Sequence, residues 1–163
     1  MQLAIIADTH LPRGRRLLPE SCIVRLRAAD VILHAGDLVA ISVLEELRSL
    51  GPEVMAVHGN VDDPEVRRTL PPTRELDLNG ITIALIHDAG SARGRLNRMR
   101  SRFPRADAVV FGHSHIPLHE RAPDGFQIFN PGSPTDRRRQ PLHTMGLARV
   151  SGDRLDFQIV ALD

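Results

Sequence analysis

Short apolar runs rich in Val and Ile alternate along the chain with longer stretches of mixed polarity. Runs of this kind, followed by Gly, Asp, Asn or His, are typical of buried strands. The predicted strands are Leu3–Ala7, Val31–Leu33, Val54–Val57, Ile81–Ile86 and Ala108–Phe111. Amphipathic helices are predicted between the early strands, at Leu17–Ala28 and at Ile41–Leu50. Because strands and helices alternate here, the first part of the chain predicts a parallel βαβ sheet.

The second half of the chain has a different pattern. Asp63-Pro64 is predicted to open a short helix. Asn79-Gly80 is predicted to form a two-residue hairpin turn between the strands Arg74–Leu78 and Ile81–Ile86. The further strands predicted after that turn are Ile116–Arg121, Gly125–Phe129, His143–Val150 and Arg154–Val160. A parallel half followed by a mostly antiparallel half predicts an α/β fold, a four-layer α/β/β/α sandwich of two mixed sheets flanked by helices. Without a repeat or linker, residues 1–163 are predicted to form a single domain.

Composition narrows the possible functions. The 42% hydrophobic and 25% charged residues are those of an ordinary globular protein, and a net charge of +1 gives no general attraction to nucleic acid or membrane. Trp and Tyr are absent, which removes most stacking platforms for single-stranded nucleic acid. No basic leader and no run of ~20 apolar residues occurs. A cytoplasmic protein without a membrane partner is therefore predicted.

Each of the five apolar runs is followed by polar residues of metal-ligand type. In an open α/β sheet the carboxyl ends of the strands form the ligand crevice, so these side chains are expected to meet. A metal-free core is the less favoured interpretation, because burying unpartnered Asp or His is costly. The seven candidate ligands are Asp8, His10, Asp37, Asn60, His87, His113 and His115.

The mixture of carboxylate, amide and imidazole suits Mn²⁺, Fe²⁺ or Zn²⁺ better than Ca²⁺, which prefers oxygen ligands. Seven ligands are too many for one tetrahedral ion but suit two ions that share a carboxylate. Two such ions can clamp the attacking and leaving oxygens of a phosphoryl displacement. The pattern therefore predicts a pair of divalent ions and phosphoester chemistry.

In their order along the chain, Asp8-x-His10, Gly36-Asp37, Gly59-Asn60, His87 and Gly112-His113-x-His115 resemble the motifs of the calcineurin-like metallophosphoesterases. The later Asn130-Pro131-Gly132-Ser133 is similar to their small YfcE-like phosphodiesterase branch. The resemblance implies a first metal held by Asp8, His10, Asp37 and His115. It implies a second metal held by Asp37 as the bridging ligand together with Asn60, His87 and His113.

The same resemblance implies catalysis by a metal-bridging hydroxide, with Asp37, Asn60 and His87 as the catalytic residues. Manganese is the favoured metal, and Ni, Fe, Zn and Mg are the alternatives. The expected substrate is a small phosphodiester or phosphate ester, and a homodimer is expected. The rival interpretation is a protein-binding scaffold like Vps29, but scaffolding predicts eroded ligands and all seven are present here.

Two positions depart from the family pattern. Many members carry a histidine directly after Gly-Asn, where it can protonate the leaving group, but this chain has Val61. We expect weak catalysis on poor leaving groups and a preference for activated diesters. Asp88 stands where Gly-His is usual, and it adds negative charge near an anionic substrate. Arg93 or Arg95 is expected to compensate for that charge.

Other charged and polar residues near the motifs are assigned supporting roles. For His34 and His58, a role in the core or in orienting the ligands is favoured over metal binding, and Asp62 is a further candidate for orienting them. The arginines between positions 93 and 105 are expected to form a solvated helix face. A phosphate-attracting rim and a polynucleotide contact remain open for that stretch, so nucleic acid is a possible but less favoured partner.

Overall fold

The computed structural model describes residues 1–162, which form ten strands and four helices. The strands are β1 (Gln2–Ile6), β2 (Val31–His34), β3 (Glu53–Ala56), β4 (Thr73–Leu78), β5 (Ile81–Ile86), β6 (Ala108–Val110), β7 (Leu118–Arg121), β8 (Gln127–Asn130), β9 (Thr144–Ser151) and β10 (Arg154–Ala161). The helices are α1 (Glu20–Arg27), α2 (Ile41–Ser49), α3 (Pro64–Thr69) and α4 (Arg95–Arg102).

The strands make two five-stranded mixed sheets. The first sheet has the order β10-β9-β1-β2-β3, and the second has the order β4-β5-β6-β8-β7. β1, β2 and β3 are parallel, as are β5, β6 and β8 in the other sheet. The carboxyl ends of five strands that carry candidate ligands therefore lie at one edge of the double sheet.

Three apolar layers hold the elements together. Between the sheets, side chains such as Ile5 and Leu33 of the first sheet pack with Leu85 and Phe129 of the second. A second layer lies between the first sheet and α1, α2 and α3. A third layer packs α4 against the second sheet through Met99 and its neighbours. Helix, sheet, sheet and helix layers follow in that order, which confirms the predicted α/β/β/α sandwich.

Two details of the prediction are wrong. The helix predicted from Leu17 begins at Glu20, because Pro19 has an extended backbone (ψ 144°) that leaves the preceding residues outside the helix. Leu17 is consequently 81% exposed. The second half is also less antiparallel than predicted, since β6 runs parallel to both of its neighbours.

The C-terminal hairpin of β9 and β10 returns to the first sheet, where β9 pairs antiparallel with β1. β1 is buried on both faces from Leu3 to Ile6, so its free edge requires a strand to satisfy the backbone amides and carbonyls. Within residues 1–162, no helix combines the length and the apolar character that a bilayer span requires.

Candidate metal centre

All seven candidate ligands lie together where the strands end. Asp8 and His10 follow β1, Asp37 follows β2, and the remaining ligands follow β3, β5 and β6. Contacts between the sheets hold this edge closed. The backbone amide of His113 donates to Asp8 Oδ1 (3.2 Å), and the His87 ring contacts the carbonyl of Ala35 through Nδ1 (2.8 Å).

The first cluster contains Asp8, His10 and His115, all of them buried. His115 Nε2 lies 3.4 Å from Asp8 Oδ1. His10 Nε2 lies 3.9 Å from the same oxygen and 3.4 Å from Asp37 Oδ2. Two imidazole nitrogens therefore face two carboxylates across a space of the size that one cation occupies.

The second cluster contains Asp8, Asp37 and His87 and therefore shares Asp8 with the first. His87 Nε2 is 3.1 Å from Asp37 Oδ2 and 3.1 Å from Asn60 Oδ1. His113 Nδ1 is 3.0 Å from Asn60 Oδ1. Asp37 Oδ2 thus lies between His10 on one side and His87 on the other, which is the position that a bridging carboxylate takes between two ions.

The outward nitrogens of two of these rings face backbone oxygens. His87 Nδ1 contacts Ala35 O, and His115 Nδ1 contacts Asp136 O. A donated hydrogen bond from the outer nitrogen fixes the ring and leaves the inner nitrogen as a free base, as in metal-binding histidines. The environments of both rings therefore favour the tautomer that binds a metal.

Carboxylates lie behind the other two rings. His10 Nδ1 is 3.8 Å from Asp136 Oδ2, and His113 Nε2 is 4.0 Å from Asp88 Oδ2. These distances are too long for direct hydrogen bonds, but each places negative charge on the side of the ring away from the site. Such outer carboxylates raise the basicity of a ligating imidazole.

Several buried polar atoms of the first cluster have no hydrogen-bond partner within residues 1–162. They are Asp8 Oδ2, both ring nitrogens of His10, and His115 Nε2. Unpaired buried polar atoms are rare and costly in folded proteins. A cation bound among them would satisfy the carboxylate oxygen and the inner imidazole nitrogens together, so these residues fit a metal ion.

The electrostatics of the protein alone also favour positive charge here. Burial lowers the pKa of His10, but the facing carboxylates of Asp37 and Asp8 outweigh it and raise that pKa to about 9. Burial also lowers the pKa of His87, and the carboxylates of Asp37 and Asp8 again outweigh it and raise that pKa. Burial opposes ionisation of Asp37, yet His10 and His87 hold its pKa well below the usual range. The charges of Asp8 and Asp37 thus favour a cation beside His10 and His87.

Five of the candidate ligands adopt left-handed backbone conformations, with φ between 48° and 68°. For residues other than glycine such conformations cost about 1–3 kcal/mol each and cluster at functional sites. They turn the chain sharply after each strand so that the side chain faces the cluster. The five residues are Asp8, His10, Asp37, His113 and His115.

Hydrogen bonds from two further predicted residues fix these turns. His34, fully buried, contacts Thr9 Oγ1 through Nε2 (3.1 Å) and accepts from the amide of Gly36 through Nδ1 (3.2 Å). Asp62 accepts from three backbone amides, those of Asp37, Val39 and Gly59. Each residue therefore ties together loops that carry different ligands.

Gly59 is required by the close approach of its backbone to Asp37. A Cβ atom at Gly59 would lie 2.1 Å from Asp37 Oδ1 and 2.6 Å from the Asp37 amide nitrogen. A Cβ at Gly36 would likewise lie 2.7 Å from Nδ1 of His87. The glycines that precede two of the ligands thus leave the space in which the opposite ligand sits.

Comparison with known proteins identifies the family to which this geometry belongs. The model of the calcineurin-like phosphoesterase superfamily domain matches residues 1–153. The chain belongs to this superfamily. The resemblance found in the sequence is therefore confirmed at the superfamily level.

Individual relatives agree with that assignment. The "Probable metallophosphoesterase" of Methanothermobacter thermautotrophicus is 35% identical over 162 residues, which cover 98% of this chain and 92% of the relative. A phosphodiesterase of Methanocaldococcus jannaschii is 25% identical over 145 residues, covering 81% of this chain and 83% of that protein. Zinc-bound Vps29 of Entamoeba histolytica superposes with a TM-score of 0.79 at 21% identity over 100% of both chains, which shows a shared fold.

Val61 occupies the place where many calcineurin-like proteins carry a histidine. Its amide donates to Asp37 Oδ1 (3.0 Å), and its side chain is 41% exposed beside the ligands. An apolar side chain there has no proton to transfer. Asp88, the other departure, is exposed and accepts from the amide of Gly90 in addition to facing His113.

The remaining predicted residues lie around the cluster. His58 is half-buried, with Nδ1 3.3 Å from the carbonyl of Gly59. Arg95 donates to the carbonyl of Gly90 and stacks over Phe111, while Arg93 is exposed. Within residues 1–162, no hydrogen bond or ion pair joins either guanidinium to a candidate ligand, and their role towards substrate stays a prediction.

The segment after β8 supports the site in a way that the sequence analysis missed. Ser133 Oγ donates to the carbonyl of Asp8 (2.8 Å) and accepts from the amide of Asp136 (2.8 Å). Thr135 Oγ1 donates to the carbonyl of Thr9. Asp136 is itself held by Arg16 at 3.1 Å, which lowers the pKa of that carboxyl against the effect of burial. The signal in the sequence was that β8, like the strands that precede the candidate ligands, is followed by polar residues.

Proposed function

We propose that this protein is a dinuclear metal-dependent phosphodiesterase. The observation that carries the proposal is the position of Asp37 Oδ2 between His10 Nε2 and His87 Nε2. On this proposal Asp8, His10 and His115 complete the site of one ion, and Asn60, His87 and His113 complete the other.

The two metal ions, when bound, would supply a deprotonated water as nucleophile and act as Lewis acids for the phosphoryl oxygens. The residues of the chain provide the rest. Asp37 keeps the two sites adjacent, and the carboxylates of Asp8 and Asp37 balance the positive charge. Asn60 is exposed at the mouth of the cluster, where its side-chain amide is able to donate to a phosphate oxygen.

The absence of an acid at Val61 limits the substrates. A leaving group of high pKa needs a proton as it departs, and the Val61 side chain supplies none. We therefore propose small diesters with good leaving groups as the preferred substrates and phosphate monoesters of simple alcohols as poor ones. The similarity to the phosphodiesterase of Methanocaldococcus jannaschii supports this choice.

Imidazole and carboxylate ligands together suit Mn²⁺, and they also accept Ni²⁺, Fe²⁺ or Zn²⁺. The test is hydrolysis of bis-p-nitrophenyl phosphate by chelator-treated protein with Mn²⁺, Ni²⁺, Fe²⁺, Zn²⁺ or Mg²⁺ added back. We expect turnover with at least one metal, strongest with Mn²⁺, and a stoichiometry of two ions per chain by elemental analysis.

Asp37→Asn is the informative variant, because it removes the proposed bridging charge with little change of volume. It is expected to abolish turnover and to lower the metal content, whereas Asp63→Asn, at an exposed position nearby, serves as the matched control. No turnover with any metal, together with unchanged metal content in Asp37→Asn, contradicts the proposal. Binding of two ions without turnover favours the alternative of a Vps29-like scaffold. The homodimer stays a prediction, which light scattering would test.

A further inference from the structure

A groove of about 310 Å³ opens directly beside the second cluster. Asn60 and His87 line it together with Thr73 on β4 and Ile86 on β5, which are paired across the strands. Because two candidate ligands belong to its lining, a molecule bound at the metal centre has a path along this groove.

Two arginines line the groove from different helices. Arg67 belongs to α3 and Arg102 to α4, and both line the groove together with His58. Asp88 is the one acidic residue among the lining residues, and its carboxylate is turned towards the amide of Gly90 and towards His113. The positive charge of the groove therefore exceeds its negative charge.

Arg67 is held in place by backbone carbonyls. Its Nε donates to Asp62 O (2.9 Å) and its Nη2 donates to Asn60 O (2.5 Å). Carbonyls orient a guanidinium without neutralising it, so the full charge remains beside a candidate metal ligand, and Nη1 is left for another acceptor. Among residues 1–162, no carboxylate pairs with Arg67 or with Arg102.

Arg102 is oriented by an aromatic ring. Its guanidinium carbon lies 5.7 Å from the centroid of Phe103, and the Phe103 side chain is buried. Contact with an aromatic face favours a guanidinium position and leaves its donors available. The planar set of donors on a guanidinium matches the geometry of phosphate oxygens.

From these contacts we propose that the groove is a subsite for a second phosphate group, carried on one ester arm of the diester substrate. This inference rests on the proposed phosphodiesterase function and narrows its substrate class to diesters with an additional phosphate. One arm of the substrate lies over Thr73 and Ile86, and its terminal phosphate is bound by Arg102 and Arg67.

The test uses two substrates that differ only in that phosphate. The p-nitrophenyl ester of thymidine 5′-phosphate is compared with the same ester carrying a 3′-phosphate, using protein loaded with the most active metal. The readout is the ratio of the two kcat/KM values, which cancels changes in metal loading or folding. We expect the 3′-phosphorylated ester to be preferred by about tenfold or more, equivalent to about 1.4 kcal/mol.

Arg102→Gln is expected to reduce that preference to below about threefold. Arg105→Gln is the matched control, since Arg105 is an exposed arginine that lines a separate depression with Glu75 and Asp77, and it should keep the full preference. Arg67→Gln takes second place to Arg102→Gln as a test, because it also removes the donors to the backbone carbonyls of Asp62 and Asn60.

The outcomes separate this inference from the function on which it rests. Turnover of bis-p-nitrophenyl phosphate with no preference between the thymidine esters overturns the phosphate subsite and leaves the phosphodiesterase intact. A preference that Arg102→Gln does not reduce overturns it as well. No turnover of any ester with any metal rejects the proposed function itself.

Discussion

Asp62 holds together two of the loops that carry candidate metal ligands, and its replacement should reveal how much the site depends on this link. Its Oδ2 accepts from the amides of Asp37 (3.1 Å) and Gly59 (2.6 Å), and its Oδ1 accepts from the amide of Val39 (2.6 Å). The residue is 4% exposed. Asp62→Ala removes the acceptor for all three amides at once.

The expected magnitude follows from those three bonds. A buried donor left without a partner costs about 1–3 kcal/mol. Since water can enter the space left by Asp62→Ala and recover part of this cost, we expect a loss of about 3–5 kcal/mol in the free energy of unfolding. Asp62→Asn keeps one oxygen but turns an NH₂ towards a backbone N–H, so a loss of about 1–3 kcal/mol is expected.

Urea unfolding measures the loss of stability, and titration calorimetry with Mn²⁺ measures the second consequence. Because Asp62 orients the loop of Asp37 without being a predicted ligand, Asp62→Asn should weaken metal binding by about 10–100-fold. Asp63→Asn is the control, since the exposed Asp63 side chain makes no capping hydrogen bond to α3. Asp62→Asn with wild-type stability and wild-type metal affinity would refute the reasoning.

Three more substitutions or conditions probe the same site. In metal-free protein the raised pKa of His10 (about 9) contributes about 3 kcal/mol of stability, which is fully present below pH 6.5 and is lost as the pH rises through 9. Urea midpoints should show this loss, and His10→Gln should remove it. Gly59→Ala places a methyl group against Asp37 and should lower metal content measured by elemental analysis, whereas the same change at the open Gly152 should not. Val61→His should raise turnover of alkyl phosphomonoesters by about tenfold or more, and unchanged turnover would contradict the role given to that position.

The candidate ligands were accessible to sequence analysis because each follows a recognisable buried strand. The run before Asp8 and the run before Asp37 are apolar on both faces, and parallel strands must end at the same edge of a sheet. Local pattern together with that topological rule was therefore enough to bring Asp8 and Asp37 to one place. His87 ends a strand of the second sheet, so its position beside them depends on how the two sheets pack against each other.

Other features depend on contacts that no local pattern contains. The sequence around β9 does not state which sheet the strand joins, and that choice is decided by the unpaired edge of the buried strand β1. The role of Asp136 behind His10 likewise depends on long-range contacts. β8 pairs with β6, and the segment after β8 contacts the loop after β1, more than 120 positions away in the sequence. Arg67 and Arg102 come together only because α3 and α4 line the same groove.

The site is assembled from both sheets, and this explains why its backbone tolerates unfavourable conformations. Asp8 and Asp37 come from the first sheet, whereas His87 and His115 come from the second, and all but His87 of these have positive φ. A left-handed residue persists only where its surroundings determine its position. Here the surroundings are buried hydrogen bonds across the sheet interface, such as Ser133 Oγ to the carbonyl of Asp8. The central core thus fixes the distance between the sheets, and that distance in turn sets the separation of the ligands.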